Sequence, residues 1–366
     1  MAEYYTNSIG RSKKRRNRVY SGKSLSLFLL DIVMTCAMLF LMFCSVTAIV
    51  CQYISPEKSG LLSVIALGVP IIYLLDIAVM LYWVVRWRWY RAVAMAAVVI
   101  MGLFYLSRYY KIDIDRHYDT SFRERMFTKV MTYNVLSGNE DGLIRYIESH
   151  KPDILCLQEM ANHGNLSLLS EKYQSTKLED GVDNHIFSRY RILRSGTIDG
   201  VFRRNGVWAD LKVKDDTVRV VSLHLQSTSI RPEDTQFLEK HQYILDSERE
   251  SKLRSIVERL VENNRKRAVQ AEAVEQFLAK TPYKTIVCGD FNDVPLSYTY
   301  NCIAKDLDDT FSKMADGFAY TYDTKYKLLR IDNILVSPSI EVVSYEVDND
   351  AVFSDHYPVI SRIKFY

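Results

Sequence analysis

The sequence predicts an α/β domain carried behind three apolar helices, and three observations predict it. Long apolar runs dominate from Ser24 to about Leu106, marking a region built for a different solvent from the rest. From about Phe127 onward, short β-rich runs alternate with charged, helix-like stretches, without internal repeats. Polar residues fall at the ends of several of those β-rich runs.

The first element is a basic segment, residues 1–23, holding Arg11, Lys13, Lys14, Arg15, Arg16, Arg18 and Lys23. Residues 24–107 then contain apolar segments at about 25–51, 61–85 and 90–107. A bilayer core of ~30 Å takes ~20 apolar residues as a helix, so these read as three transmembrane helices. The first run is too long for a signal-peptide core and two more follow it, which indicates a retained anchor and a multi-pass membrane protein. Basic residues near span ends favour the cytoplasm. The N-terminal run and the second loop (Arg86, Arg88, Arg91) are basic, whereas the first loop holds Lys58. Three crossings then put the C-terminal domain on the non-cytoplasmic side, with Arg108, Lys111 and Arg116 counting against that orientation. The basic N-terminus also reads as a nucleic-acid tail or a patch for anionic lipid. Asp31 lies near enough to a span end to be solvated, while mid-span Asp76 calls for a polar neighbour or a transport or sensing role.

Residues 108–126 read as a linker and 127–366 as the second domain. Strands are expected at 130–135, 154–157, 184–188, 206–213, 217–225, 284–289, 331–336 and 358–364, with a helix over 141–150. The polar stretch from Pro232 to Lys280 has helical periodicity and ends in RAVQAEAVEQFL; the region 226–280 reads either as a lid over a site or as a solvated insert. Of the 47 Lys/Arg and 44 Asp/Glu, residues 1–125 hold 16 and 8, so the second domain is mildly acidic. That argues against bulk nucleic-acid binding, which needs basic surface, without excluding a nuclease whose carboxylates hold a metal. The six cysteines show no CxxC spacing; Cys156 and Cys288 sit in apolar runs as small hydrophobes.

The polar run ends are Asn134 in MTYN, Glu159 in LCLQE, His224 in VVSLH, Asp290 and Asn292 in IVCGDFN, Asp332 in RIDN, and Asp355 and His356 in SDH. Strand ends are where α/β proteins commonly build sites. Oxygen ligands of this kind suit Mg²⁺, with Mn²⁺ or Ca²⁺ also possible, better than zinc. Phosphoryl chemistry needs such a set: a hard cation, a base for water and a donor across from the attacked face. Each residue alone also has a structural reading: Asn134 and Asn292 as turn amides, Asp332 as a strand-end cap, His224 as a core imidazole.

In this order, TYN, LQE, HL, GDFN, RID and SDH resemble the endonuclease/exonuclease/phosphatase superfamily, which includes deoxyribonuclease I, exonuclease III, neutral sphingomyelinases and inositol-polyphosphate 5-phosphatases. The resemblance runs from Phe127 to Tyr366. It implies a four-layer α/β sandwich, two mixed β-sheets flanked by helices, with the site at one end. It implies Glu159 as principal metal ligand, with Asn134 and Asp355 completing the metal and phosphate environment. Asp290 and Asn292 would orient the attacking water and the phosphate. His356, held by Asp332, would contact the phosphate or act in acid/base catalysis, and His224 would donate to the phosphate or leaving group. No tyrosine matches the one used by abasic-site endonucleases. The resulting expectation is a membrane-anchored, divalent-metal-dependent phosphoesterase. Its substrate is a nucleic acid, a phospholipid or sphingolipid headgroup, or a small phosphoester; the lipid bilayer is its other partner, and no protein partner follows from the sequence. The alternatives are an inactive membrane scaffold or sensor that keeps the hydrolase fold, and a transport-linked module centred on Asp76.

Overall fold

The computed structural model describes residues 22–111, 127–176, 183–199, 206–230, 233, 234, 237 and 246–366. The N-terminal basic run and residues 112–126 of the expected linker lie outside them.

The apolar region forms four helices: α1 (Gly22–Cys51), α2 (Gly60–Ala66), α3 (Val69–Val85) and α4 (Trp89–Leu106). Of these, α1 is long and apolar enough by itself to cross a membrane. The expected second span is broken: α2 and α3 meet at 67°. Gly68 and Pro70 account for the break, because Pro70 lacks an N–H and its ring collides with a helical carbonyl at Ala66, where α2 ends. The third expected span is α4, at the short end of the roughly 17–25 residues a span needs. A shared core of Met38, Leu41, Val79, Trp83, Ala92 and Met95 packs α1, α3 and α4 together. Asp31 is not solvated as its position suggests. It is buried and accepts from Arg86 Nε and Nη2, both at 3.0 Å, and from the Tyr82 hydroxyl at 2.7 Å. Asp76 does find a polar neighbour, the Ser45 hydroxyl of α1 at 2.5 Å.

A ribbon of β1 (Tyr110–Lys111) against β11 (Gly317–Phe318) ties the end of this region to the second domain. That domain is two mixed six-stranded sheets flanked by helices, as the resemblance implies. One sheet runs β13 (Ile340–Val347), β14 (Val359–Phe365), β2 (Thr128–Ser137), β3 (Ile154–Met160), β5 (His185–Ser188), β4 (Gln174–Ser175). The other runs β10 (Asp308–Asp309), β12 (Asp332–Val336), β9 (Lys284–Asp290), β8 (Asp216–His224), β7 (Gly206–Val213), β6 (Arg191–Thr197). Each sheet has one parallel pair at its middle, β2 with β3 and β8 with β9.

Period-2 alternation sorts the side chains into layers. Val130, Ile154 and Cys156 of the first sheet meet Val220, Ile286, Cys288 and Ile334 of the second in the central core. Residues of opposite parity, Met131, Tyr133, Leu155 and Leu157, face outward onto Leu143 and Ile147 of α5 (Leu143–His150) and Leu169 of α6 (His163–Ser170). On the other side Val221, Leu223 and Val287 pack on Ala271 and Val274 of α7 (Asp246–Ala279) and Tyr300 and Ile303 of α8 (Tyr298–Ile303). Each fully buried Val, Leu or Ile contributes roughly 1.5–3 kcal/mol relative to exposure, so this layering rather than propensity fixes the strand register. The six cysteines are free thiols, with Cys156 and Cys288 in the central core.

The helix of the 226–280 stretch is packed rather than a solvated insert, and the lid reading also takes in residues outside the described ones. Helix α7 is a strut between the apolar helices and the loop after β9. Asn264 Nδ2 donates to Ser63 Oγ of α2 at 2.6 Å. One turn on, fully buried Arg267 pairs with Asp293 at 3.3 Å and donates to the Gln226 carbonyl at 2.7 Å. Removing one member of a buried ion pair strands the other, at about 3–5 kcal/mol. Arg267→Ala is therefore expected to destabilise the chain by about that much, read as a lower denaturation midpoint.

Candidate active site

The inward rows of the central strands turn polar at the same end of both sheets. Val130, Thr132 and Asn134 make the row on β2; Val220, Ser222 and His224 on β8; Ile286, Cys288 and Asp290 on β9. Parallel register sets Asn134 beside Gln158 and His224 beside Asp290, and antiparallel register sets Asp332 opposite Asp290. Two sheets thus deliver their polar strand ends to one point.

Asp290 is the hub. Its Oδ1 accepts the Asn292 backbone N–H at 2.7 Å, and its Oδ2 accepts Asn292 Nδ2 at 3.0 Å and Asn134 Nδ2 at 3.2 Å. Asn134 Nδ2 also reaches Glu159 Oε1 at 3.0 Å, and His224 Nε2 lies 3.3 Å from that same oxygen and 3.9 Å from Asp290 Oδ2. His356 completes the ring, with Nδ1 2.9 Å from Asp332 Oδ2 and Nε2 3.7 Å from Asp290 Oδ2. Seven of the eight expected residues are therefore joined by side-chain contacts of under 4 Å. Asp355 is beside His356 in sequence, and its described side-chain bond is from the Ser354 hydroxyl at 3.3 Å. Its charge acts on His356, but its described hydrogen bonds do not join it to Glu159 or Asn134.

Backbone conformation serves the same convergence. Glu159 and Asn292 both adopt left-handed φ, 56° and 52°, which costs energy away from glycine and is held here by the surrounding contacts. Gly289 has φ 131°, and a Cβ there would stand 1.9 Å from the Leu223 carbonyl oxygen of the neighbouring strand. No alanine fits without parting β8 from β9. Gly289→Ala is expected to cost about 2–4 kcal/mol, through forced strand separation and backbone strain, and to lower the thermal midpoint accordingly.

The site opens on one side. Asn134, Asp290 and Asp332 are at most 1% exposed, whereas the Glu159 and His224 side chains are 32% and 17% exposed, which marks the edge where a substrate enters. Burial works against an imidazolium at His356, but the carboxylates of Asp332, Asp290 and Asp355 outweigh it and push His356 up to about 10. Burial raises the Asp332 carboxyl as well, against the pull of His356. The shared proton belongs on the imidazole, because Asp290 gives it a second negative neighbour.

Asp290, Asp332 and His356 also bring potential metal-ligating atoms within 4.8 Å of one another. This trio is buried and its carboxylates are already bonded to His356, Asn134 and Asn292, so it is the poorer cation cage. Glu159 is the better one: its carboxylate is open to solvent, and the Asn134 amide Nδ2 donates to it and fixes its position. The charge balance fits a divalent ion, because the ion pairs of Glu159, Asp290 and Asp332 among the described residues are to His224 and His356 alone. With Asp355 nearby, the site carries four carboxylates against two imidazoles.

Sequence reasoning missed the supports. Thr321 is fully buried and its Oγ1 accepts the N–H groups of Ile331 and Asp332 at 2.9 and 3.0 Å, fixing the start of β12. The Tyr322 ring lies 4.8 Å from the His356 ring. Beneath Asn134, a buried layer links Gln158 to Thr132, Gln158 to Ser222 at 3.0 Å, and Ser222 to Asn184 at 2.5 Å. The one sequence signal for that layer is a run of polar residues on inward parity.

The chain belongs to the Endonuclease/Exonuclease/phosphatase family, whose model matches residues 131–356. A second model, described as a domain of unknown function, matches residues 28–109. No curated protein matches the chain in sequence. Similar solved structures include a humanized D. rerio TDP2, at 16% identity over 65% of this chain and 99% of that one, with a TM-score of 0.48. A mannosyl-6-phosphatase from Bacteroides thetaiotaomicron is 20% identical over 65% of this chain and 100% of its own, with a TM-score of 0.45. The human Nocturnin catalytic domain with bound sulfate is 18% identical over 66% and 96%, also with a TM-score of 0.45.

Proposed function

We propose that the chain is a membrane-anchored, divalent-metal-dependent hydrolase of phosphoesters. The single observation that carries the chemistry is the contact ring of Asn134, Glu159, His224, Asp290, Asn292, Asp332 and His356, assembled from strand ends of both sheets. Glu159, with Asn134 and Asp355, would hold Mg²⁺, or Mn²⁺ or Ca²⁺ in its place. The bound ion supplies positive charge to the phosphoryl oxygens. Asp290, oriented by three N–H donors, takes a proton from a water whose oxygen forms the new bond to phosphorus as the bond to the leaving oxygen breaks. His356, kept cationic by Asp332 and Asp290, holds a phosphoryl oxygen, and His224 at the open edge protonates the leaving oxygen.

The anchoring reading rests on exposed apolar surface. Phe28, Phe40, Phe43, Leu74, Val93 and Phe104 are 59–80% exposed around the helices, where the core helix of a water-soluble protein would be covered. The C-terminal ends of α1 and α4 and the N-terminal side of α3, through α2, all meet the hydrolase domain. Arg108 bridges Gln52 and the Pro295 carbonyl, and Arg330 donates to the Arg108 carbonyl. That arrangement supports three crossings, with α2 and α3 together as the bent second one, and the basic loop of Arg86, Arg88 and Arg91 on the face away from the hydrolase domain. With basic loops inside, the hydrolase domain faces the non-cytoplasmic side.

The test is turnover by the full chain in detergent, with Mg²⁺, against plasmid DNA, RNA, phospholipids, sphingomyelin and sugar phosphates. One class turned over by the wild type and lost in His356→Ala supports the reading. Turnover that survives His356→Ala, or none in any class, overturns it.

A further inference from the structure

A cavity of about 330 Å³ lies where the apolar helices meet the hydrolase domain. That volume is in the range of small-molecule sites, ~300–1,000 Å³. Its helical wall includes Ala48 of α1, Asp76 of α3 and Val98 of α4, and its roof Leu296, Phe318 and Leu328 of the hydrolase domain. The open surface of the walls is almost wholly apolar, with Ser45, Asp76 and four tyrosines among the lining residues.

Three features of this cavity point to one kind of occupant. Depth is the first. Along α1, α3 and α4, the wall residues Ala48, Asp76 and Val98 lie three, seven and eight residues from the helix ends that face the hydrolase domain. At ~1.5 Å per residue the cavity reaches about 10 Å down the bundle, most of one leaflet of a ~30 Å hydrocarbon core. The second is polarity: Asp76 is 1% exposed, its Oδ2 accepts from Ser45, and its Oδ1 has no hydrogen-bond partner among the described residues. That carboxylate is closed off from the open space, so the surface the cavity offers is apolar and suits hydrocarbon. The third is connection. Each roof residue lies four positions from a residue of the active site: Leu296 from Asn292, Leu328 from Asp332, and Phe318 from Tyr322, whose ring packs on His356. Four residues of extended chain span at most about 14 Å, so each roof residue lies within that distance of the catalytic ring or of Tyr322 beside it.

We propose that this cavity holds the hydrocarbon chain of a membrane lipid whose phosphoester head is the substrate of the site above, an inference that rests on the hydrolase reading. A lipid in the leaflet next to the hydrolase domain then places its chain among α1, α3 and α4 and its head at Glu159 and His224.

The test uses the full chain in phosphatidylcholine vesicles carrying a phosphatidylcholine with a diazirine at the end of one acyl chain. Light is expected to label the peptides containing Ala48 or Val98. Ala48→Phe and Val98→Trp are each expected to lower that labelling about tenfold, the effect of excluding roughly two methylenes, with an unchanged melting temperature. A phosphoester bearing a long chain is expected to have a KM about tenfold or more below that of its short-chain analogue. Absence of labelling in the wild type, labelling untouched by both variants, or equal KM values for the two chain lengths overturns the inference. Metal-dependent turnover of bis-p-nitrophenyl phosphate by the same preparation then shows whether the hydrolase reading stands without it.

Discussion

Asp290→Asn is expected to lower kcat by about 10³-fold or more for whatever phosphoester the chain turns over, in the upper half of the ~10²–10⁴ that a general base contributes. The position of Asp290 argues for the upper part of that range. Its carboxylate accepts from Asn134 and twice from Asn292, and both His356 and His224 approach its Oδ2 within 4 Å. Asparagine keeps the size of the side chain but cannot take a proton, and it removes one of the charges that hold His356 cationic. Two functions are lost in one substitution, so KM should rise less than kcat falls. The check is a steady-state comparison with the wild type at saturating Mg²⁺. A loss of less than about threefold would mean that another group activates the water.

Glu159→Gln is expected to act differently. The substitution preserves volume and removes a ligand charge, so the Mg²⁺ concentration giving half-maximal activity should rise by about 10–100-fold or more, the scale on which lesser changes around metal ligands already act. Activity should return in part when Mn²⁺ or higher Mg²⁺ is supplied, which a merely structural role for Glu159 would not allow. Complete chelation of the wild type should cost roughly 10³-fold, the equivalent of the several kcal/mol a Lewis acid contributes to phosphoryl transfer. Titrating both proteins with Mg²⁺ at fixed substrate separates the two effects.

Much of this site is legible in the sequence because strand ends carry it. The runs VMTYN, VVSLH and IVCGD each place an apolar residue and a terminal polar residue on the same parity (Val130 with Asn134, Val220 with His224, Ile286 with Asp290), so a reader who knows the strands knows which polar groups face inward. The segment 206–213 reads as a strand with the bounds the structure gives it. The strands that escape are of another kind. β6, with the residues RILRSGT, is an edge strand with much of its surface exposed and Gly196 packed under the Trp208 ring, so its apolar pattern is weak. Thr321 and Tyr322 lie in a stretch with no helical or strand period, and their roles depend on a turn that only the folded chain brings against Asp332 and His356.

The apolar region shows the opposite limit. Hydropathy averaged over 61–85 sees one span, but the single imino acid Pro70 after Gly68 divides it, and α2 then leaves the bundle to pack on α7. Asp31 reads as a solvated span end until the chain returns and brings Arg86 and Tyr82 to it from 55 and 51 residues away. Position along a helix is encoded locally; the partner of a buried charge is not.

The most direct test of the central claim is hydrolysis of bis-p-nitrophenyl phosphate by the full chain in water enriched in oxygen-18, with Mg²⁺ and with EDTA. Phosphorus-centred attack by activated water predicts one heavy oxygen in the phosphoryl product, none in the nitrophenol, and loss of turnover in EDTA. Turnover indifferent to EDTA, or heavy oxygen in the nitrophenol, would contradict it.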